Sequence, residues 1–400
     1  MLPKPDLSIA GDLPITLNWQ QALPCLPNIK QTPHIGLAGA FSGVFNGNGD
    51  NRHTIVLAGG TNFPNTSLLD AVKSGNTPEK VYHNEILLFS IPTGANSDQG
   101  QWRVSKAKLP QKIAHGVSIN TQDGVLVFGG ETQDNQGTVS PSDCVYKLYL
   151  INDEIKIKKL HNMPVSFCYG SVCRLENTLY LCGGIQNGVP SNQVWRYDIE
   201  HAAWTRLSDY PGPARTELIS TIGIDQYGQH YLYLFSGVAN KDNMIQADVA
   251  GVKLKLSESS SSESKSWQFT ADIIPQGQTD AMSLLGASHV QLSQQYTLCF
   301  GGYNKTVFNH FVEQLKQSQS KEHTQNIKID FFSQAPEQFQ WNKQAIVFDS
   351  IKNTWLSLGE LPFWPNCGGA AEVIEQDVVL LSGEIKPGVR TPSVNIARLE

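Results

Sequence analysis

Leu179-Tyr180-Leu181-Cys182-Gly183-Gly184 is followed by Trp195-Arg196-Tyr197-Asp198 and then by Ala203-Trp204-Thr205-Arg206-Leu207. An apolar β-run stops at a glycine pair, an aromatic strand follows, and a tryptophan strand closes the unit. A small-residue strand, Gly170-Ser171-Val172, precedes it. Five other β-runs end in the same way: Thr54 to Gly60, Val125 to Gly130, Leu232 to Gly237, Thr297 to Gly302, and Val379 to Gly383. Small residues stand before most of them, as in Gly36-Leu37-Ala38-Gly39-Ala40, His115-Gly116-Val117, Gly286-Ala287-Ser288 and Gly368-Gly369-Ala370-Ala371.

Four strands per unit at roughly fifty residues is the kelch pattern. Six units predict an all-β fold, a six-bladed kelch-type β-propeller, with residues 1–400 as a single domain. Small residues suit the innermost strands, which crowd around the channel, and aromatics fill the wider space between blades. After Arg390 only Ser393 to Arg398 remains, enough for one more strand. Ile15-Thr16-Leu17-Asn18-Trp19, followed by Leu23-Pro24, matches the Trp and Leu-Pro ending of the other units. The N-terminal strand is therefore expected to complete the last blade and close the ring. Three insertions interrupt the pattern: a polar loop from Asn65 to His83, a Ser/Glu-rich hairpin from Ser257 to Ser266, and Phe308 to Trp341. Phe308, Phe311, Val312 and Leu315 have helical spacing. A helix there is expected to pack on the propeller surface, with a lid over the channel mouth as the alternative.

Composition excludes several classes. Of 400 residues, 40% are hydrophobic and 16% charged, and the net charge is −6. No basic stripe points to nucleic acid, and no run of eighteen apolar residues points to a membrane. The N-terminus lacks a charged segment followed by an apolar one, so the chain as written is expected in the cytoplasm, or in the periplasm if an export signal has been removed. The seven cysteines show no metal-ligand spacing and read as reduced structural thiols. No P-loop or nucleophile elbow is present. No cofactor or metal is expected, and nothing specifies an oligomeric state.

In a four-stranded antiparallel blade the loop after strand two and the start of strand one share an end. The loops after the glycine pairs should therefore surround one mouth of the channel. That puts Asn62, Glu131, Gln186, Asn304 and the Glu384 to Arg390 loop on a common rim, with Arg215 pointing there too. Pro387 pre-sets φ and Gly383 and Gly388 accept positive φ, so the last loop is rigid. Carboxylates, arginines and amides on one concave rim suit a hydroxyl-rich anionic ligand. For Asn62, Gln186 and Asn304 a hydrogen bond within their own loop is the simpler role. His115 and His289 lack a metal partner and read as channel packing. Glu131 and Glu384 could also form the acidic pair of a sugar hydrolase.

Gly383-Glu384-Ile385-Lys386-Pro387-Gly388-Val389-Arg390-Thr391 closely resembles the signature loop of the N-acetylneuraminate epimerases, the sialic acid mutarotase family of kelch propellers. Gly301 to Asn309, Phe339 to Lys343, and Gly129-Gly130-Glu131-Thr132 resemble other blades of that family. There the Gly-Glu…Arg loop lies mid-chain, whereas here it is in the last blade. The order resembles the cyclically permuted branch, which a closed ring with adjoining termini tolerates. The resemblance implies an isomerase acting on an acidic sugar. Glu384 would accept the proton and Arg390 would bind the substrate. Arg215, Glu131, Asn62 and Asn304 are the candidate substrate-binding residues around them. A non-catalytic propeller that binds a protein or glycan at the same rim is the alternative.

Overall fold

A computed structural model describes residues 15–20, 25–28, 33–46, 52–92, 100–241, 244–256 and 266–400. Among the described residues the chain is all-β with three α-helices and one 3-10 helix, Pro336–Phe339, and its strands pair in antiparallel fashion within the sheets. The first sheet contains Phe41–Phe45, Arg52–Ala58, Ile86–Pro92 and Gln101–Val104 in that order. The same four-strand order recurs in sheets that begin at Val117–Thr121, Ser171–Leu175 and Ser288–Gln291. The sheet beginning at Ile219–Ile224 carries an extra short strand, Arg215–Thr216, on its long second strand. A sixth sheet runs Ala370–Ile374, Asp377–Leu381, Val394–Leu399 and then Leu17–Trp19. In that last pairing Leu17 opposes Leu399 and Trp19 opposes Ala397.

Burial grades across each sheet. Second strands such as Gly124–Phe128 and Tyr296–Phe300 are buried along their whole length. They have neighbours on both edges and both faces, so continuous apolar runs replace alternation. Fourth strands such as Ala203–Arg206 are largely exposed. Apolar clusters join the sheets in chain order. Phe41 and Val56 pack with Val125 and Tyr146, and Phe128 with Leu181 and Tyr197. Tyr180 and Cys182 pack with Leu232 and Leu234, and Phe235 with Phe348 and Trp355. Phe300 and Val347 pack with Val378 and Leu380. Val379 and Ile396 of the sixth sheet pack in turn against Leu57 and Phe89 of the first.

The small residues expected in the innermost strands fall partly within them, as at Ser171, Ser288, Ala370 and Ala371, and partly just before them. The first strand begins at Phe41, not within Gly36 to Ala40. Gly39, His115, Tyr169, Glu217, Gly286 and Gly368 occupy matching positions before the six first strands, all with φ between 52° and 69°. The backbone N–H of His115 donates to the Gly39 carbonyl, Tyr169 to His115, and Glu217 to Tyr169. Gly286 donates to Glu217, Gly368 to Gly286, and Gly39 to Gly368, all at 2.7–3.3 Å. The bonds run head to tail and return to their origin. The left-handed backbone that this chain of bonds requires explains the glycines.

One insertion differs from expectation, and another carries the expected surface helix together with a second one. The segment from Asn65 to His83 is not simply a polar loop, for it contains helix α1, Leu68–Lys73, capped by Ser67. The later insertion forms α2, Lys305–Lys316, and α3, Lys321–Ser333. α2 lies on the Met244–Lys255 strand, whose Ala247 N–H donates to Asn309 Oδ1 at 2.7 Å. α3 reaches α1, and Gln325 Nε2 donates to the Val72 carbonyl at 2.8 Å. Leu23-Pro24 and nearly all of the Ser257 to Ser266 hairpin lie outside the described residues.

Candidate active site

The Glu384–Lys386 and Val389–Arg390 strands form a two-stranded hairpin in which Glu384 pairs with Arg390. Arg390 Nη2 donates to Glu384 Oε1 at 2.7 Å. The Arg390 side chain is only 5% exposed, its guanidinium carbon lies 4.5 Å from the Phe63 ring centroid, and its Nε and Nη1 are buried without an acceptor. Burial raises the Glu384 carboxyl above the ordinary range, and Arg390 opposes that shift. The hairpin is clasped from outside: Lys386 Nζ donates to the carbonyls of Phe332 and Gln334 at the end of α3. A Cβ on Gly388 would strike the Leu68 side chain of α1 at 2.6 Å. The helical insertions thus cover one flank of the hairpin.

Glu384 lines a cavity of about 500 Å³ that runs along the first strands, together with His115, Tyr169, Glu217, Tyr303 and Glu372. Tyr303 Oη donates to Glu384 Oε2 at 3.4 Å. Glu131 accepts from Tyr82 Oη at 2.6 Å and from Tyr169 Oη at 2.9 Å. Burial pushes both phenols up, and Glu131 adds to the shift. They stay protonated donors. His115 stacks on Tyr169 at 4.6 Å, and burial drives the imidazole well below its usual range. Lys80 ties the cluster together electrostatically: its ammonium feels Glu131, Glu384, Glu217 and Arg390, and burial lowers it. Burial, aided by the charge of Glu384, pushes Glu217 up to about 7, against Lys80.

The expected residues divide. Glu384, Arg390 and Glu131 lie around this one group of charges. Asn62 is buried nearby, where it donates to the Gly36 carbonyl and meets His83 Nε2. Arg215 does not point into the mouth. Its guanidinium donates to the carbonyls of Ser236 and Ala250 and lies over the Tyr210 ring. Asn304 caps α2, accepting from the Thr306 and Val307 N–H groups, and lines a different cleft. Gln186 bonds within its own loop and to Trp195. Lys80, Glu217, Tyr82, Tyr169 and Tyr303 join the site unannounced. The one sequence signal for Glu217 and Tyr169 is their place directly before a first strand, where other units have glycine.

Among the described residues no His/Cys/Asp/Glu group could hold a metal ion. No helix among them is long and apolar enough to cross a membrane. The arrangement can move protons: it combines buried carboxyls in different environments, neutral phenols, an arginine with spare donors and a desolvated lysine.

These features define a repeat-built all-β protein with an acid–base cluster beside a cavity lined by its first strands. The N-acetylneuraminate epimerase family model matches residues 12–155 and 160–400, and the chain belongs to that family. An N-acetylneuraminate epimerase of Yersinia enterocolitica is 30% identical over 237 residues, which is 58% of this chain and 56% of the relative. The Vibrio cholerae protein of that name is 30% identical over 58% of this chain and 57% of its own. The Brucella melitensis one is 29% identical over 60% and 58%. The chain thus spans little more than half the length of the curated relatives it matches. The solved structure of YjhT superposes with a TM-score of 0.50 at 24% identity, over 59% of this chain and 64% of that one, a likeness of fold.

Proposed function

We propose that the protein is a mutarotase that interconverts the α and β anomers of N-acetylneuraminic acid or a related acidic sugar. Its scaffold would be one six-bladed kelch-type propeller closed by the N-terminal strand. Five four-stranded sheets and one of five strands, apolar contacts from sixth sheet to first, and the Leu17–Trp19 pairing support that architecture. The family's name for its relatives supports the substrate. A cyclic shift of blade order accounts for sequential matches that stop short of either full length.

The observation that carries the chemistry is Arg390, which gives one donor to Glu384 and keeps two buried donors without an acceptor. Charged donors left unmatched in this way suit the carboxylate of an acidic sugar. Glu384 then takes the proton of the anomeric hydroxyl, the bond from the anomeric carbon to the ring oxygen breaks, and the open keto form recloses on its other face. A deep cavity with Glu384 on its wall favours catalysis over a protein-binding rim. The test is NMR of freshly released α-N-acetylneuraminic acid with and without the protein. Faster appearance of the β anomer is expected, and spontaneous rates across several acidic sugars would favour the binding reading.

A further inference from the structure

Ring opening needs a proton for the ring oxygen as well as a base for the hydroxyl. Glu217 has the geometry for that task. It occupies one of the six linked positions before the first strands, at φ 52°. Its N–H donates to the Tyr169 carbonyl at 2.7 Å and its carbonyl accepts from Gly286 N–H at 3.3 Å. Its side chain lines the same cavity as Glu384. A Cβ on Gly286 would lie 3.1 Å from Glu217 Oε2, so the carboxyl leans across the neighbouring position, which carries no side chain. Among the described residues the carboxyl has no hydrogen-bond partner. A side chain in the left-handed region costs about 1 kcal/mol, and three sister positions avoid that with glycine. The fold thus holds an unpaired carboxyl, on strained backbone, facing the cavity that Glu384 also faces.

We propose that Glu217 is the proton donor of the reaction, a role that rests on the mutarotase reading. As the hemiketal opens, Glu384 accepts the anomeric hydroxyl proton and the bond between anomeric carbon and ring oxygen breaks. The ring oxygen takes that electron pair and the Glu217 proton. On reclosure the oxygen attacks the ketone, its proton returns to Glu217, and Glu384 returns its proton to the new anomeric oxygen. No proton or electron is gained or lost over the cycle. The charged and titratable groups that reach Glu217 are Glu384, Lys80, Tyr169, Tyr303 and Cys367. Among the described residues Glu384 is ion-paired with Arg390 while Glu217 has no cation in contact, and burial pushes Glu217 up to about 7.

The experiment measures anomer exchange of N-acetylneuraminic acid by NMR, from about pH 5 to about pH 9, for the unmutated protein, Glu217→Gln and Glu217→Gly. The unmutated protein should lose activity as pH rises through neutrality. Glu217→Gln should fall by about a hundredfold and lose that alkaline limb. Glu217→Gly adopts the residue of three sister positions, so its melting temperature should hold or rise while exchange falls equally. Wild-type exchange with an unchanged pH profile in both variants would overturn the role of Glu217 and leave the mutarotase reading standing. No exchange by the unmutated protein would overturn both.

Discussion

Glu384 and Arg390 face each other as a paired position of one hairpin, 2.7 Å apart, and Arg390 keeps Nε and Nη1 unmatched. A lysine would preserve the charge and the contact with Glu384 but would lose the planar fork. Arg390→Lys is therefore expected to weaken binding of the sugar acid by about tenfold or more, while a neutral sugar without the carboxylate is unaffected. Titration calorimetry with both ligands checks this. Equal affinity of variant and unmutated protein for the acid contradicts it.

Trp19 packs edge-on against Phe363 at 4.8 Å and Phe300 at 6.1 Å, which ties the N-terminal strand to the fifth sheet and the segment after it. Trp19→Ala should lose roughly 2 kcal/mol and lower the melting temperature by several degrees. An unchanged melting curve would mean that the strand does not fasten the fold.

Lys386 holds the end of α3 through two carbonyls. Without it, in Lys386→Ala, amide hydrogen exchange should quicken in α3 and α1 by roughly fivefold, about 1 kcal/mol, while the second strands stay protected. Uniform exchange in the two proteins would show that the clasp contributes nothing.

Glu372 is buried in the cavity wall, where Ser42 Oγ donates to it at 2.5 Å and Asn120 Nδ2 at 3.2 Å, and burial pushes its carboxyl up to about 7. The folded state therefore binds a proton more tightly than the unfolded chain. Stability falls as pH rises from about 4.5 to about 7 and stays low above that. Glu372→Gln removes this loss, because Ser42 can accept from the amide while Asn120 donates to its oxygen. It should melt higher than the unmutated protein at about pH 8 and alike at about pH 4. The same difference at both values would contradict the account.

The repeats were readable because glycine pairs mark chain reversals by a local backbone demand: the first residue of each pair has φ between 55° and 69°, whether Gly or, as at Ser236 and Ser382, serine. The Glu384 to Arg390 loop was readable for the same reason, since both partners lie in one hairpin. Arg215 misled because a strand start fixes an end of the sheet but not a face, and its side chain bonds carbonyls of its own sheet. Two residues on, Glu217 takes the place at the cavity. Asn304 followed by Lys305 and Thr306 carries a helix-cap pattern that outweighed its position on a rim. Lys80 had no signal of its own, and Tyr169 only its place before a first strand. Their convergence depends on contacts between sheets far apart in the chain, and these appear only when the ring of backbone bonds is seen.

The central claim is that Glu384 is the base of an anomer exchange. The most direct measurement is magnetisation transfer between the α and β resonances of N-acetylneuraminic acid at equilibrium, with the unmutated protein and with Glu384→Gln, each shown folded by circular dichroism. Glutamine keeps the size and the carbonyl that accepts from Arg390 but cannot take the proton. Exchange should be fast with the unmutated protein and about a hundredfold slower or more with the variant, with sugar binding largely retained. Equal exchange with both proteins would remove Glu384 from the chemistry and contradict the account.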